Sequence, residues 1–247
     1  MIDTVAQPAK PNLATLSVKL FADGADLAGM LSLYRNPFIK GFTTNPTLMR
    51  KAGITDYAAF ARGVLDVIPD RPISFEVFAD DEAEMERQAR EIATWGENVY
   101  VKIPITNTAG EPTSSVVKRL SHAGIKLNVT ALMTLDQVRR VAGELAPGVP
   151  ACVSVFAGRI ADTGRDPMGL MKSAVDILAA LPAAELIWAS PRELLNVFHA
   201  DAVGCHIITV THDILAKLDG IGKDLDEYSL DTVKMFHRDA SAAGFTL

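Results

Sequence analysis

Cysteine occurs only twice in 247 residues, as Cys152 and Cys205. That excludes a disulfide framework and suits a reducing compartment, so a cytoplasmic protein is expected. Aromatic residues make up 6% and are scattered, too few for a base-stacking surface. There is no excess of positive charge, the formal net charge being −6. A general nucleic-acid or membrane-surface binder needs a basic field, and neither partner is expected. A local basic pocket for a phosphorylated small molecule stays compatible with that balance. No apolar run reaches about eighteen residues, so no membrane span is expected. The G-x-G-x-x-G fingerprint, the P-loop and H-E-x-x-H are all missing.

What is present is an alternation of two patterns. Short β-rich runs occur at LSVKLFA (16–22), IKGFTT (39–44), PISFEVF (72–78), NVYVKIP (98–104), IKLNVT (125–130), ACVSVFA (151–157), ELIWAS (185–190) and HIITVT (206–211). They have the length and apolar character of buried parallel strands. Helix-like stretches lie between them. DDEAEMERQAREIATWG (80–96) opens with acids and closes on glycine. TLDQVRRVAGELAPG (134–148) has a threonine cap. In DPMGLMKSAVDILAALP (166–182), Asp166 is the expected cap, with Pro167 in the first turn. SPRELLNVFHADAVG (190–204) repeats the pattern, and residues 226–244 read as a C-terminal helix.

Strands alternating with helices imply right-handed βαβ units and a parallel sheet. Eight repeats at a spacing of roughly thirty residues favour a closed (β/α)8 TIM barrel over a doubly wound open sheet. No linker divides the chain. The expected organisation is an irregular leader over 1–15, which reads as neither secretory signal nor fold, then one α/β barrel domain over 16–247. The C-terminal helix is expected from about 226.

Active sites of such barrels sit at the C-terminal strand ends, where side chains alternate between the interior and the helix layer. On the fourth run, Val99, Val101 and Ile103 share the outward face, which leaves Tyr100 and Lys102 inward. By the same parity Ser74 and Glu76, Asn128 and Thr130, and Ser154 and Phe156 face inward. Asp23 ends the first run opposite Val18, Leu20 and Ala22, and Thr43, Thr44 and Asn45 end the second. A purely structural barrel core would carry Val, Ile and Leu at these places.

A lysine inside a barrel loses solvation, which favours the neutral amine that attacks a ketone to form a Schiff base. The iminium then accepts electrons as a neighbouring C–C bond breaks. Proton shuttling needs a carboxylate, for which Asp23 and Glu76 are candidates, with Thr130 and Asn45 as water or hydroxyl holders. Plainer readings stand beside these. Lys102 can form a buried salt bridge with Glu76 or Asp23. Asp23 and Thr130 can cap helices, and Asn45 before Pro46 can start one. A second cluster, Ser154, Arg159, Ser190 and Arg192, follows the sixth and seventh runs, where barrels often hold phosphate. The plainer reading pairs these arginines with Asp162, Asp166 or Glu193. The five histidines form no ligand pattern, Cys205 and His206 fall at the wrong strand end, and no catalytic metal is expected.

The segments ADGADL, GFTTNPTL, FEVFA, VYVKIP, LNVTAL, SVFAGRI and ASPRE, in that order over about residues 16–218, resemble the transaldolase family. The resemblance implies an (α/β)8 barrel, no cofactor, sugar phosphate substrates and a homo-oligomer. It implies that Lys102 forms the Schiff base with a ketose and carries its dihydroxyacetone unit. Glu76, Thr130 and Asn45 would hold the water for proton transfer, and Asp23 would assist C–C cleavage. Asn128, Ser154, Arg159, Ser190 and Arg192 would bind phosphate and nearby hydroxyls, Phe156 would shape the pocket, and Thr43 and Thr44 would line it.

Fructose-6-phosphate aldolases of this superfamily typically carry Gln and Tyr where this chain has Glu76 and Phe156, the pair of true transaldolases. A pocket tyrosine can protonate the enamine and release dihydroxyacetone, whereas a phenylalanine leaves it waiting for an aldehyde. Gly24, Val155 and Pro191 depart from the family pattern without removing a catalytic group. The rival expectations are an aldolase that needs no acceptor and a non-catalytic phosphosugar-binding barrel.

Overall fold

The computed structural model describes residues 12–246. Eight parallel strands close into a barrel in sequence order. They are β1 (Lys19–Asp23), β2 (Ile39–Thr43), β3 (Ile73–Glu76), β4 (Val99–Pro104), β5 (Leu127–Leu132), β6 (Ala151–Val155), β7 (Ala184–Trp188) and β8 (Ile207–Thr211). Closure is made by β1 on β8, from Lys19 opposite Ile207 to Asp23 opposite Thr211. The expected TIM barrel is therefore present, and the open sheet is not. It lies within a compact unit over Ser17–Leu215.

The helices of this unit are α1 (Leu27–Tyr34), α2 (Pro46–Lys51), α3 (Tyr57–Val67), α4 (Glu82–Ala93), α5 (Ser114–His122), α6 (Leu135–Glu144), α7 (Ala157–Ala161), α8 (Met168–Leu178), α9 (Leu195–Ala202) and α10 (His212–Leu215). Half of the ten start on side-chain caps, which satisfy amides left over at a helix start. Asp26 caps α1, Asn45 caps α2 ahead of Pro46, Asp56 caps α3 and Asp81 caps α4. Thr134 and Gln137 form a capping box on α6. The caps considered for Asp23 and Thr130 are thus taken by Asp26 and Thr134. Two expectations are corrected. Pro167, not Asp166, holds the cap position of α8, although the Asp166 carboxylate still accepts the Met168 N–H at 2.9 Å. The helix expected from 190 begins only at Leu195, because Ser190 adopts a left-handed backbone (φ 59°) and breaks the run.

The alternation seen on β4 is realised. Val99, Val101 and Ile103 are buried under the helix layer. Inside the barrel, Phe21, Cys152, Ile187, Ala189 and Ile207 form an apolar cluster onto which Tyr100 and Phe156 pack. Gly41 is required here, since a methyl at that position would meet the Phe21 ring at 2.5 Å.

The remaining described residues, 12–16 and 216–246, belong to a second unit. Its main element is α11 (Leu225–Ala243), capped by Asp224 and ended by Gly244 at φ 68°. The expected C-terminal helix is present, and none of its residues is buried. Of the expected leader, residues 1–11 lie outside the described residues. Among the described residues no helix is long and apolar enough to cross a membrane.

Gly158, in the first turn of α7, lies against the end of β7. A β-carbon there would sit 1.5 Å from the Ser190 carbonyl oxygen, a backbone atom that cannot swing aside. Gly143 in α6 has nothing within 4 Å of the same position. In denaturant melts Gly158→Ala is expected to destabilise by about 1–3 kcal/mol or more, while Gly143→Ala stabilises by about 0.4–1 kcal/mol.

Candidate active site

Buried polar side chains, among them Thr43, Ser74, Lys102, Asn128 and Ser154, line part of the barrel interior. Lys102, at position four of β4, is 7% exposed. Its ammonium donates to the Thr44 carbonyl at 2.9 Å and lies 3.2 Å from a carboxylate oxygen of Glu76. The pairing follows from register, because Glu76 and Lys102 are direct partners across β3 and β4. The ion pair considered from sequence is therefore real, and Glu76 rather than Asp23 makes it.

Asp23 ends β1 and is partly buried. Thr43 donates its hydroxyl to one carboxylate oxygen at 2.8 Å, and the Asn45 amide reaches the other at 3.5 Å. Asn45 also caps α2 through its Oδ1, which accepts the Leu48 N–H at 3.0 Å, the plainer of the readings open to it. Because Thr43 spends its proton on Asp23, the close hydroxyl of Thr209 is the donor toward Thr43.

A third set joins the strands on the other side of the lysine. Asn128 donates to the Ser74 hydroxyl at 2.9 Å, and Ser154 donates to the Asn128 carbonyl at 2.7 Å. Thr44 donates its hydroxyl to the Ser74 carbonyl at 2.8 Å. Thr130 completes the inward polar face of β5. Its hydroxyl is buried with no hydrogen-bond partner among the described residues. The next residue, Ala131, has φ 65° and sits in a bulge of β5 against β6. Bulges and left-handed non-glycine residues carry strain that tends to collect at functional sites.

The two arginines make contacts of their own. Arg192 makes a two-point pair with Asp162, through Nε at 2.9 Å and a closer Nη2 contact. That is one of the plain pairings considered from sequence. Arg159 places its guanidinium 5.4 Å from the centre of the Phe156 ring. Phe156 stands at the start of α7 and packs on the apolar interior cluster. Ser190 follows β7 in its left-handed turn. His206 is committed elsewhere, its Nδ1 accepting the Leu186 N–H at 3.0 Å. Both thiols are buried, which pushes Cys205 up to about 12 and Cys152 higher still.

Three participants escaped the sequence reading. Thr209 sits on the inward parity of β8 between Ile207 and Thr211, and the alternation rule would have found it. Ser74 was placed inward but given no role. Tyr57 starts α3, and its hydroxyl bonds the Glu76 backbone. No local signal marks it. The departure at Gly24 also has a physical counterpart. A β-carbon there would lie 3.2 Å from Nε2 of His212, so the imidazole occupies the space a larger residue would need. A groove of about 430 Å³ outside the interior is lined by Ala25, Leu27, Ile54 and Phe60. Its acids, Asp26 and Asp56, are spent on capping α1 and α3.

Burial raises the Asp23 carboxyl above its ordinary value of 3.8, and the Lys102 charge and the Thr43 hydrogen bond only partly offset this. The native state thus holds this proton to higher pH than the unfolded chain. Its contribution to stability is complete below 3.8 and is lost as pH rises through the raised native value. Asp23→Asn is expected to raise the melting temperature near neutral pH while abolishing most activity. The gain should shrink as pH falls toward 4. A gain that is constant with pH, or a loss at neutral pH, contradicts this.

Comparison with known proteins accords with the geometry. A protein from Dehalococcoides mccartyi named "Probable transaldolase" is 35% identical over 202 residues, covering 81% of this chain and 90% of its own length. One of the same name from Methanococcus maripaludis is 33% identical over 223 residues, covering 87% and 99%. Among solved structures, a dihydrodipicolinate synthase from Rhodopseudomonas palustris superposes with a TM-score of 0.55 at 13% identity, over 82% of this chain and 72% of that one. A HpcH/HpaI aldolase/citrate lyase family protein from Burkholderia cenocepacia gives 0.55 at 13%, over 88% and 95%. At such identities these two attest the barrel alone. The model of the family described as Transaldolase/Fructose-6-phosphate aldolase matches residues 20–247. A closed barrel with a buried lysine ringed by carboxylates and hydroxyls, and a family match over nearly its whole length, place this chain in the transaldolase/fructose-6-phosphate aldolase family.

Proposed function

We propose that this protein is a class I transaldolase that moves a dihydroxyacetone unit between sugar phosphates through a Schiff base on Lys102. The observation that carries this is a single lysine, 7% exposed, whose amine touches Glu76 and shares the barrel interior with Asp23, Asn128 and Thr130. A binding protein has no use for a desolvated amine so placed. Relatives named "Probable transaldolase" support the same activity.

The chemistry runs as follows. The Lys102 amine, having passed its extra proton to Glu76, attacks C2 of a ketose such as fructose 6-phosphate or sedoheptulose 7-phosphate. The carbinolamine loses its oxygen as water, with Glu76 returning the proton through a water held near Thr130 and Asn45. Asp23 takes the proton of the C4 hydroxyl as the C3–C4 bond breaks. That electron pair moves into the iminium to give an enamine, and an aldose phosphate leaves. The raised affinity of Asp23 for a proton suits it to this abstraction and to the reverse. An acceptor, erythrose 4-phosphate or glyceraldehyde 3-phosphate, then takes the unit by the same steps reversed. No cofactor enters. Phe156 has no proton to give the enamine, which favours transfer over release of free dihydroxyacetone.

Arg192 and Arg159, with Ser190, are proposed as the phosphate contacts. Arg192 would exchange Asp162 for phosphate, a change between two anions that keeps its two-point geometry. Two free, buried cysteines suit a reducing, cytoplasmic setting. The exposed apolar residues of α11, among them Leu225, Val233 and Phe236, favour a homo-oligomer.

Borohydride reduction in the presence of fructose 6-phosphate should leave a three-carbon adduct on Lys102, read by peptide mass spectrometry, and Lys102→Ala should abolish it. Failure with several ketose phosphates would favour the binding barrel instead. Product formation should depend on erythrose 4-phosphate by more than about tenfold. Turnover without any acceptor would mark the aldolase. Arg192→Ala is expected to raise KM for phosphorylated sugars by about 10–200-fold with kcat nearly unchanged.

A further inference from the structure

We propose that Tyr57 is a positioning residue for Glu76, its hydroxyl standing in for the strand that β3 loses at the level of the site. The β2–β3 ladder is the shortest in the barrel's N-terminal half, pairing only Phe42 with Ile73 and Thr43 with Ser74. Even-numbered residues of β3 direct their backbone toward β2, and the Thr44 N–H accordingly bonds the Ser74 carbonyl at 3.2 Å. Odd-numbered residues face β4, as when the Val77 N–H bonds the Lys102 carbonyl at 3.2 Å. Glu76 therefore turns both its N–H and its C=O toward β2. There the chain has already left the sheet, because Asn45 caps α2.

Tyr57 fills that gap. The Glu76 N–H donates to the Tyr57 hydroxyl oxygen at 2.7 Å, and the same hydroxyl donates to the Glu76 carbonyl at 3.0 Å. One side chain thus satisfies both backbone groups of the residue that bears the carboxylate. Burial raises the phenol well above its ordinary value, so it keeps the proton that lets it donate and accept together. Its ring is held edge-on by Phe75, Phe78 and Trp95, at centroid distances of 6.1, 4.5 and 5.6 Å. The strand end that aims the Glu76 carboxylate at Lys102 is therefore anchored to β4 on one flank and to Tyr57 on the other. Tyr57 serves catalysis in this way only if Glu76 takes part in proton transfer, as proposed above.

Tyr57→Phe keeps the ring and deletes only the hydroxyl. With fructose 6-phosphate and erythrose 4-phosphate, kcat is expected to fall about 10–100-fold while KM stays within about twofold, since a small misplacement of a catalytic group costs up to about 100-fold. In a Glu76→Gln background the same change should cost less than about twofold, because the group it positions is already gone. Wild-type kcat in Tyr57→Phe, or an equal loss in both backgrounds, overturns the proposal. Wild-type kcat in Glu76→Gln alone overturns the role of Glu76 first, and that variant reports it separately. Should Tyr57→Phe not fold, amide hydrogen exchange on the unaltered protein decides. Glu76 should exchange as slowly as Val77, and fast exchange at Glu76 refutes the clamp.

Discussion

A lysine ammonium and a glutamate carboxylate 3.2 Å apart inside the barrel set the conditions for the rest of the molecule. Two charges taken out of water are tolerable only when they meet each other and when their remaining hydrogen-bonding capacity is met as well. Breaking such a pair by removing one partner costs about 3–5 kcal/mol. The surroundings answer this requirement. The Thr44 carbonyl takes one ammonium proton, and the strand register puts Glu76 opposite Lys102. The interior accordingly holds an apolar cluster around Phe21, Cys152 and Ile207 and a polar layer around Thr43, Ser74, Lys102 and Asn128. The first supplies the burial that holds the barrel shut. The second supplies the site.

The polar layer is not arranged for stability. Asp23 is buried enough that its charge is disfavoured, Thr130 has a buried hydroxyl with no partner among the described residues, and Ala131 is in a left-handed backbone conformation. Each of these costs free energy in the folded state. They lie together at one end of the barrel, as expected of a site whose hydrogen-bonding capacity is completed by substrate. Tyr57 shows the opposite tendency, an aromatic ring packed on Phe75, Phe78 and Trp95 whose hydroxyl bonds both backbone groups of Glu76.

Much of this was legible beforehand because the information is local. A buried parallel strand needs a short apolar run, and all eight were recognisable. Side-chain alternation then placed Lys102, Glu76, Asn128 and Ser154 inward, as found. Boundaries were less legible where a single backbone angle decided them. Ser190 could not be read as left-handed, since serine has no intrinsic preference for that region, and α9 was expected too early. The α8 cap shifted from Asp166 to Pro167, yet Asp166 kept its bond to the Met168 amide. Asn45 realises its plainer reading, its oxygen capping α2, while its nitrogen turns to Asp23.

Sequence by itself determined the barrel, the inward set of polar residues and the family, because these follow from periodicity at two and nearly four residues and from short motifs in order. Only the tertiary structure decided the partners. Lys102 finds Thr44 across 58 positions, Arg192 finds Asp162 across 30 rather than a neighbouring acid, and Tyr57 finds the Glu76 backbone across 19. Those meetings depend on how far each strand runs before its chain turns away and on which loop folds back over the gap. Such distances are set by closing the whole barrel, and no stretch of a few residues encodes them.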